Sequence, residues 1–401
     1  KTENRGISFT PIFDEGGSFT LCCLTIDPKN SNVLWLGTGE NTSQRSAHFG
    51  DGVYKSTDGG KTWRNMGLKN SEHIGQILVD PRNSNVVYVA AQGPLWSAGG
   101  DRGLYKTTDG GETWTRILHV SDDTGISEIV FQPGNPDVIY ASAYQRRRAV
   151  GQMIGGGPEG GIFKTTNGGR TWKKLTKGLP TDDMGRAGLA VDPRHPKRVY
   201  ALIDAKRHES GFFRSDDGGE TWTRIGRMVR EGGAAAGGRG GAPAQPVQPC
   251  QPLGASKTTP PASGEAEPVV DAGSVDDEEE LADEQEAAFQ AGGRGNQPQD
   301  DCYRGGGAQY YHELYVDPHR PDWIWSINVN MEISKDGGYT WTQHGLENTG
   351  VHVDHHALAF DPVDPKHILL GNDGGLYETY DEGKTWRFFT NLPVTQFYRL
   401  S

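Results

Sequence analysis

The densest group of residues able to do chemistry is the run HVDHH at positions 352–356. Imidazole and carboxylate side chains bind divalent transition metals and carry protons in catalysis. Alternate side chains of a β-strand share a face, so His352, Asp354 and His356 would point the same way. The run therefore predicts either a divalent metal site, with His312 among the residues that would complete it, or histidines that hydrogen-bond to neighbouring elements.

Paired carboxylates are the second chemical option. Cleavage of a glycosidic bond needs two carboxyl groups about 5–10 Å apart, one to donate a proton and one to act as base or nucleophile. Asp373 and Asp354 are our candidates for this catalytic pair, and Glu40 and Glu72 are further carboxylates that could contribute.

A recurring motif positions these residues. It is an eight-residue box with the pattern S/T-x-D/N-x-G-x-T/S-aromatic. Its copies lie at residues 2–9, 56–63, 107–114, 165–172, 215–222, 334–341 and 379–386. Glycine permits positive φ in a tight turn, and an Asp or Asn side chain accepts backbone N–H bonds there. We therefore assign a structural role to the central residues of the boxes, which are Asn4, Asp58, Asp109, Asn167, Asp217, Asp336 and Asp381.

The segments between boxes share one plan. The boxes are 45 to 58 residues apart, except for one interval of 119 residues. An alternating run such as Gly103–Lys106 precedes each box, and an apolar run such as Ile77–Pro81 and a β-branched run such as Val86–Ala90 lie between boxes. Four antiparallel strands in about 50 residues are the repeat of a β-propeller blade. The predicted fold is all-β, a seven-bladed-type β-propeller of four-stranded antiparallel blades.

The long interval contains a low-complexity insert at residues 230–307, between blades at 1–229 and 308–401. Eleven acidic and no basic residues lie between Glu265 and Glu286, so the net charge of −12 leaves about −1 for the rest. The chain thus lacks the basic field expected of a nucleic-acid-binding protein, and no apolar run approaches the ~20 residues of a transmembrane helix. Cys250 and Cys302 flank the acidic run and either remain thiols or form a disulfide, which would imply an oxidising compartment.

The box resembles the Asp-box, or bacterial neuraminidase repeat, of sialidases, sortilin-type receptors and xyloglucan-specific hydrolases. The stretches Ser71–Gly75, Gln145–Arg148, His352–Ala357 and Gly371–Gly375 are similar to a bacterial family of exported sortilin-like or glycosyl-hydrolase-like repeat proteins. Residues 372–377 also resemble the segment that carries an acidic catalytic residue in xyloglucan hydrolases. The resemblance implies a propeller with the box between the third and fourth strands, in an extracellular or periplasmic protein.

That strand order predicts a propeller that is incomplete within this chain. The degenerate box at residues 2–9 would be followed by the last strand of the first blade, whose other strands are not in this sequence. Gln396–Leu400 would begin another first strand. We expect further chain segments or another subunit to complete the ring.

Ligands of propellers usually bind where loops from several blades converge. We expect the loops after the second strands and the starts of the innermost strands to form this mouth, with Arg146–Arg148 in such a loop, facing solvent, an acidic partner or the insert. The candidate ligand-binding residues are Glu40, Glu72, His73, Gln92, Arg146, Arg186, His312 and His355.

The preferred interpretation is an exported scaffold that binds or assembles protein, peptide or glycan. The alternative is a glycoside hydrolase that acts on a polysaccharide through Asp373 and Asp354. No organic cofactor is expected, and a divalent metal at His352, Asp354 and His356 is the one cofactor that these residues suggest.

Overall fold

The computed structural model describes residues 1–206, 209–229, 250, 302, 309–344 and 350–393. Their regular secondary structure is β-strand, apart from one turn of 3-10 helix at Lys69–Ser71. The strands build six consecutive sheets, each based on four antiparallel strands. The architecture is a six-bladed β-propeller, which confirms the predicted all-β class and the four-stranded blade. A complete seventh blade is not seen in the described part of the chain.

The first three blades lie in the first half of the chain. Blade 1 consists of β1 (Leu21–Asp27), β2 (Asn30–Thr38), β3 (Val53–Ser56) and β4 (Arg64–Asn65). Blade 2 consists of β5 (Ile74–Val79), β6 (Val87–Ala91), β7 (Gly103–Thr107) and β8 (Thr115–Leu118). Blade 3 consists of β9 (Thr124–Gln132), β10 (Asn135–Ala149), β11 (Gln152–Gly155), β12 (Gly161–Thr165) and β13 (Lys173–Leu175).

The other three blades follow in order. Blade 4 consists of β14 (Met184–Val191), β15 (Val199–Ala205), β16 (Gly211–Ser215) and β17 (Thr223–Ile225). After β18 (Arg227–Met228), blade 5 consists of β19 (Glu313–Val316), β20 (Ile324–Ile327), β21 (Met331–Ser334) and β22 (Thr340–Gln343). Blade 6 consists of β23 (His355–Phe360), β24 (Ile368–Asn372), β25 (Gly375–Thr379) and β26 (Arg387–Phe388).

Two short strands extend this plan. β11 pairs with the far end of β10, so that Arg146, Arg147 and Arg148 lie opposite Gly155 and its neighbours in a hairpin. The expectation that this arginine triplet lies in a loop was therefore wrong. β18 runs parallel to β22 and attaches the end of blade 4 to blade 5.

Each box in the six blades joins a third strand to a fourth. In the box of blade 1 the Ser56 hydroxyl donates to Asp58 Oδ1 at 2.8 Å and accepts the Gly60 N–H at 2.9 Å. The Asp58 carboxylate also accepts the N–H and the hydroxyl of Thr62, at 2.9 and 2.7 Å. These bonds, those from Thr62 first, hold the pKa of Asp58 well below its usual value. The carboxylate is occupied within its own turn.

The boxes of blades 2 to 6 also pack against the preceding blade. The indole N–H of Trp114, in the box of blade 2, donates to the carbonyl of Met66 in blade 1 at 2.8 Å. A Cβ on Gly111 in the same box would lie 2.7 Å from the Trp35 ring of blade 1, so only glycine fits this approach. Trp35 is fully buried in the cluster between these two blades.

The box at residues 2–9 lies between blade 6 and blade 1. It has the same internal bonds, with Asn4 Oδ1 accepting the Ser8 N–H at 3.0 Å. Asn391, after blade 6, donates to the carbonyls of Gly6 and Ile7 at 3.0 and 2.9 Å. On the other side, the Trp63 indole of blade 1 donates to the Ile12 carbonyl at 2.6 Å. The first residues of the chain thus bridge the two end blades.

Two predicted segments fall largely outside the described residues. The insert at 230–307 is described only at Cys250 and Cys302, which are joined by a disulfide. The predicted strand at 396–400 also lies outside them. No helix in the described part of the chain has the length and apolar character needed to span a bilayer.

Candidate functional site

A segment of blade 1 crosses the mouth of the propeller. We call residues 40–43, between β2 and β3, the mouth segment. The Arg186 guanidinium of blade 4 donates to the Asn41 carbonyl at 3.0 Å. Arg146 of blade 3 donates to the Thr42 carbonyl at 2.7 Å. Side chains from different blades therefore converge on one short stretch, as the topology predicted.

Three more side chains hold the same stretch. His73 Nδ1, at the start of blade 2, donates to the Glu40 carbonyl at 2.8 Å. The Gln92 amide of blade 2 donates to the Asn41 side chain, and Arg148 donates to the Ser43 carbonyl at 2.7 Å. Candidates predicted to bind a ligand thus bind the protein's own backbone.

Arg146 and Arg186 are buried behind the mouth segment. Burial lowers the pKa of Arg146 to about 9, and the positive charges of Arg102 and Arg186 act in the same direction. Arg102 is fully buried too and donates to the Gln92 and Pro94 carbonyls at 2.7 and 2.6 Å. The interpretation of Arg146 as a solvated or ligand-contacting residue was therefore wrong, because the side chain is buried and its two Nη groups already donate to carbonyl groups.

The candidate histidines His73, His312 and His355 are buried as well. Burial lowers the pKa of His73 and of His312 to about 3 and that of His355 to about 4, so all three are neutral at pH 7. His312 Nε2 donates to the Leu202 carbonyl of blade 4 at 2.6 Å. The structure thus places His73 and His312 as links between blades. Glu72 contributes its backbone carbonyl, which accepts the Gly50 N–H at 2.7 Å.

Asp354 and Asp373 lie side by side at the mouth, and we call them the carboxylate pair. The Asp373 N–H donates to the Asp354 carbonyl at 3.1 Å. The Tyr311 hydroxyl donates to Asp354 Oδ1 at 2.5 Å, and His356 Nε2 donates to Asp373 Oδ1 at 2.8 Å. The Tyr311 and His356 rings stack, with centroids 5.3 Å apart. Each carboxylate therefore has its own neighbour able to orient it.

The predicted metal site is not formed. β23 begins only at His355, and Asp354 has a φ of 64°, so the strict alternation assumed for a strand is broken. His352 Nδ1 donates to the Val353 carbonyl at 2.8 Å, while His356 turns to Asp373. The expectation that His352, Asp354 and His356 share a face was wrong. Among the residues described here, no three His, Cys, Asp or Glu side chains are grouped so as to hold a metal ion.

Tyr310 and Tyr311 also belong to the site, although their sequence pattern did not indicate it. Burial first, and then the charges of Asp373, Glu40 and Asp354, raise the pKa of Tyr310 to about 12. Tyr310 therefore lies within electrostatic reach of the carboxylate pair and of Glu40. Their position in the repeat could have indicated this. The two tyrosines lie just before the innermost strand of blade 5, and residues 352–354 lie just before the innermost strand of blade 6.

Comparison with known proteins gives two groups of relatives. The family model described as "Sortilin, neurotensin receptor 3" matches residues 51–153 and 102–236, slightly under half of the chain. A probable oligoxyloglucan-reducing end-specific xyloglucanase of Neosartorya fischeri is 26% identical over 167 residues, 38% of this chain and 17% of the relative. A xyloglucanase of Hypocrea jecorina is 28% identical over 192 residues, 43% of this chain and 21% of the relative. This chain thus matches about a fifth of each xyloglucanase.

Two further similarities agree with the fold. A sialidase of Bacteroides fragilis is 29% identical over 163 residues, 31% of this chain and 29% of the relative. The structure of an ancestral GH74 enzyme superposes with a TM-score of 0.55 and 18% identity, covering 95% of this chain and 40% of that one. The sortilin model and the xyloglucanases are both of the β-propeller class, which supports the resemblance drawn from the boxes.

Proposed function

We propose that the propeller mouth binds a polysaccharide and that Asp354 and Asp373 hydrolyse one of its glycosidic bonds. The observation that carries this proposal is the carboxylate pair beside the stacked Tyr311 and His356 rings. The xyloglucanase relatives favour this hydrolase function over the scaffold function preferred from the sequence. Because the chain matches only about a fifth of those relatives, xyloglucan is a proposed substrate.

The surroundings of the two carboxylates give them different roles. Asp373 is 47% exposed and can reach a bound sugar, and the hydrogen bond from His356 Nε2 orients its carboxyl group. Asp373 then acts as the acid that protonates the glycosidic oxygen. The Tyr311 hydroxyl orients Asp354, which acts either as the base that takes a proton from the water attacking the anomeric carbon, or as the nucleophile that forms a glycosyl-enzyme bond later hydrolysed by water. Tyr310 is partly exposed, so its ring provides apolar surface against which a sugar ring can pack, whereas Tyr311 is buried.

The charges of the site favour an uncharged sugar. Glu40, Asp354 and Asp373 all act on Tyr310, so the mouth is electronegative. A carboxylated sugar such as a sialic acid would need free guanidinium donors, whereas Arg146 and Arg186 donate to the mouth segment. We therefore expect turnover of neutral β-glucans such as xyloglucan and none of sialylated substrates.

The first experiment measures release of reducing ends from xyloglucan by the full chain. Asp373→Asn and Asp354→Asn should each lower kcat by about 100-fold or more, because each removes a proton-transferring carboxylate. Asp364→Asn is the matched control, since Asp364 is exposed in the turn after β23 and caps only the Lys366 N–H. Turnover by both variants at the parent rate would contradict the proposal.

We also propose a second function, assembly with another polypeptide. β1 exposes 52% of Leu24 and 56% of Ile26, whereas the innermost strands of blades 2 and 4 bury Ile77 and Leu189. A groove of about 1090 Å³ lies between residues 1–17 and the box of blade 1. Residues 2–13 occupy the outer part of the space between blades 6 and 1. This supports completion of a seventh blade by further strands that cover Leu24 and Ile26.

The disulfide supports an exported protein. Disulfides persist in oxidising compartments and are rare in the cytosol, and Cys250 is bonded to Cys302. We therefore propose a periplasmic or extracellular location, which suits an enzyme that meets polysaccharide outside the cell.

A further inference from the structure

Arg146 is a buried cation without a carboxylate partner among the described residues. Only 1% of it is exposed. Its guanidinium donates to the carbonyls of Thr42 and Gly93, at 2.7 and 3.2 Å, and reaches the Ser43 hydroxyl at 3.3 Å. Burial of a charge costs several kcal/mol unless hydrogen bonds compensate it. Thr42 and Ser43 of the mouth segment, with Gly93, supply this compensation to the two Nη groups, while the buried Nε has no hydrogen-bond partner; the cation and the segment therefore stabilise each other.

Arg186 holds the segment from a second blade. Its donation to the Asn41 carbonyl, at 3.0 Å, is closer than its approach to Glu313, at 3.8 Å. The carbonyls of Asn41 and Thr42 are thus bound by guanidiniums that arise from separate sheets. A surface loop normally leaves such carbonyls to water, whereas this one is fixed at successive residues.

This fixation determines where Glu40 lies. The Glu40 N–H donates to the His48 carbonyl at 3.0 Å, and its carbonyl accepts from His73 at 2.8 Å. The Ser43 N–H donates to the Gln309 carbonyl at 2.7 Å, which ties the segment to the chain just before Tyr310. The Glu40 carboxylate remains 31% exposed, with one contact to His48 at 3.1 Å. It therefore faces the mouth with hydrogen-bonding capacity to spare.

We propose that Arg146 and Arg186 are positioning residues, and that they hold Glu40 where its carboxylate accepts a hydrogen bond from a sugar hydroxyl opposite the carboxylate pair. Glu40 is then a specificity-determining residue that binds substrate without joining the bond-breaking step. This inference rests on the proposed polysaccharide-binding function.

The test uses binding, so that it does not depend on turnover. A xyloglucan oligosaccharide is titrated calorimetrically into the full chain carrying Asp373→Asn. Added Glu40→Gln should weaken binding about tenfold, the loss expected for one hydrogen bond to a charged group. Added Arg146→Lys should weaken it similarly, since an ammonium cannot span the carbonyls that the guanidinium fork joins.

Combining Glu40→Gln with Arg146→Lys distinguishes a positioning role of Arg146 from a general loss of structure. If Arg146 acts through Glu40, the double change weakens binding no more than either single change. Arg147→Lys is the matched control, because the neighbouring Arg147 turns to Asp123, with Nε at 3.0 Å from its carboxylate, and should leave affinity unchanged. Additive losses, or parent affinity in Glu40→Gln, would overturn the proposal.

A second measurement distinguishes failure of the positioning role of Arg146 from failure of the proposed polysaccharide-binding function. Hydrogen exchange of residues 39–48 should speed up in Arg146→Lys and stay at the parent rate in Arg147→Lys, whether or not sugar binds. If the Asp373→Asn chain binds no oligosaccharide, the proposed function and the role of Glu40 both fail. Unchanged exchange in Arg146→Lys would overturn the positioning role by itself.

Discussion

At the residue scale, burial decides what each polar side chain can do. His73 and Arg146 looked like ligand-binding residues because of their types and their place near the mouth. Their donors instead bind carbonyls of the mouth segment. Asp373 keeps almost half of its surface and remains available for chemistry. This face of the propeller therefore has two layers of polar side chains. The buried layer binds the backbone of the loops, and the exposed layer can contact a substrate.

The buried histidines make folding sensitive to acid. The pKa of His73 and of His312 is about 3 in the folded protein and about 6.5 in an unfolded chain, so the unfolded state binds more protons between these values. The contribution of these two histidines to the free energy of unfolding is therefore fully present above pH 6.5, and it is lost progressively as the pH drops towards 3. Each histidine contributes up to about 1.4 kcal/mol per pH unit.

Urea unfolding at pH 7 and pH 5 measures this effect. The double variant His73→Gln and His312→Gln should lose less stability between the two pH values than the parent, because glutamine keeps a donor but does not titrate. His48→Gln is the control, since His48 is exposed. An identical pH dependence in parent and double variant would show that other groups cause the acid sensitivity.

At the element scale, the box is a self-contained turn that also joins blades. In blade 4 the Ser215 hydroxyl donates to Asp217 Oδ1 and accepts the Gly219 N–H, both at 2.8 Å. The Trp222 indole that follows packs in the cluster between blades 3 and 4. One hydroxyl thus maintains the turn that sets the position of a core tryptophan. The box carboxylates stabilise the fold and lie apart from the carboxylate pair.

Removal of that hydroxyl should therefore be costly. Ser215→Ala leaves the buried Gly219 N–H and one Asp217 bond unmatched, and should lower the free energy of unfolding by about 1–3 kcal/mol. Ser97→Ala, at an exposed serine, should change it by less than about 0.5 kcal/mol. Chemical denaturation of both variants gives the comparison, and equal stabilities would contradict a structural role for the box hydroxyl.

At the scale of the whole molecule, the ring is held by contacts that skip most of the sequence. Asn391 binds the carbonyls of Gly6 and Ile7, which brings the two described ends of the chain together. Inside that junction, β1 exposes an apolar strip that consists of Leu21, Leu24 and Ile26. Contiguous exposed apolar surface of this kind marks an interaction site.

The bare strip should make the purified chain associate. Sedimentation at increasing protein concentration should show a mass above that of one chain, because a second copy covers Leu24 and Ile26 when no other polypeptide is present to do so. Leu24→Lys with Ile26→Lys should abolish association without lowering Tm, since both side chains are already exposed. Val363→Lys, at a residue that is 85% exposed, is the control. A monomeric parent at every concentration would count against assembly through β1.

Much of the fold was predictable from sequence. The box repeats in the sequence itself, its glycines and hydroxyls act within eight residues, and strand alternation is local. The position of the mouth followed from strand order, which is why Glu40, Asp354 and Asp373 were candidates from the outset. The roles within the mouth were not predictable, because burial and partner choice depend on residues from other blades.

The run at residues 352–356 shows which features were predictable from the sequence and which were not. Its residue types alone identified a chemically capable stretch, and the boxes with the strand patterns between them predicted a propeller of four-stranded blades. Only the tertiary structure decided that Asp354 leaves the strand alternation, turns to Tyr311 and lies beside Asp373. The reason is that a hydrogen bond between side chains 43 residues apart depends on the packing of neighbouring blades, which no local pattern records.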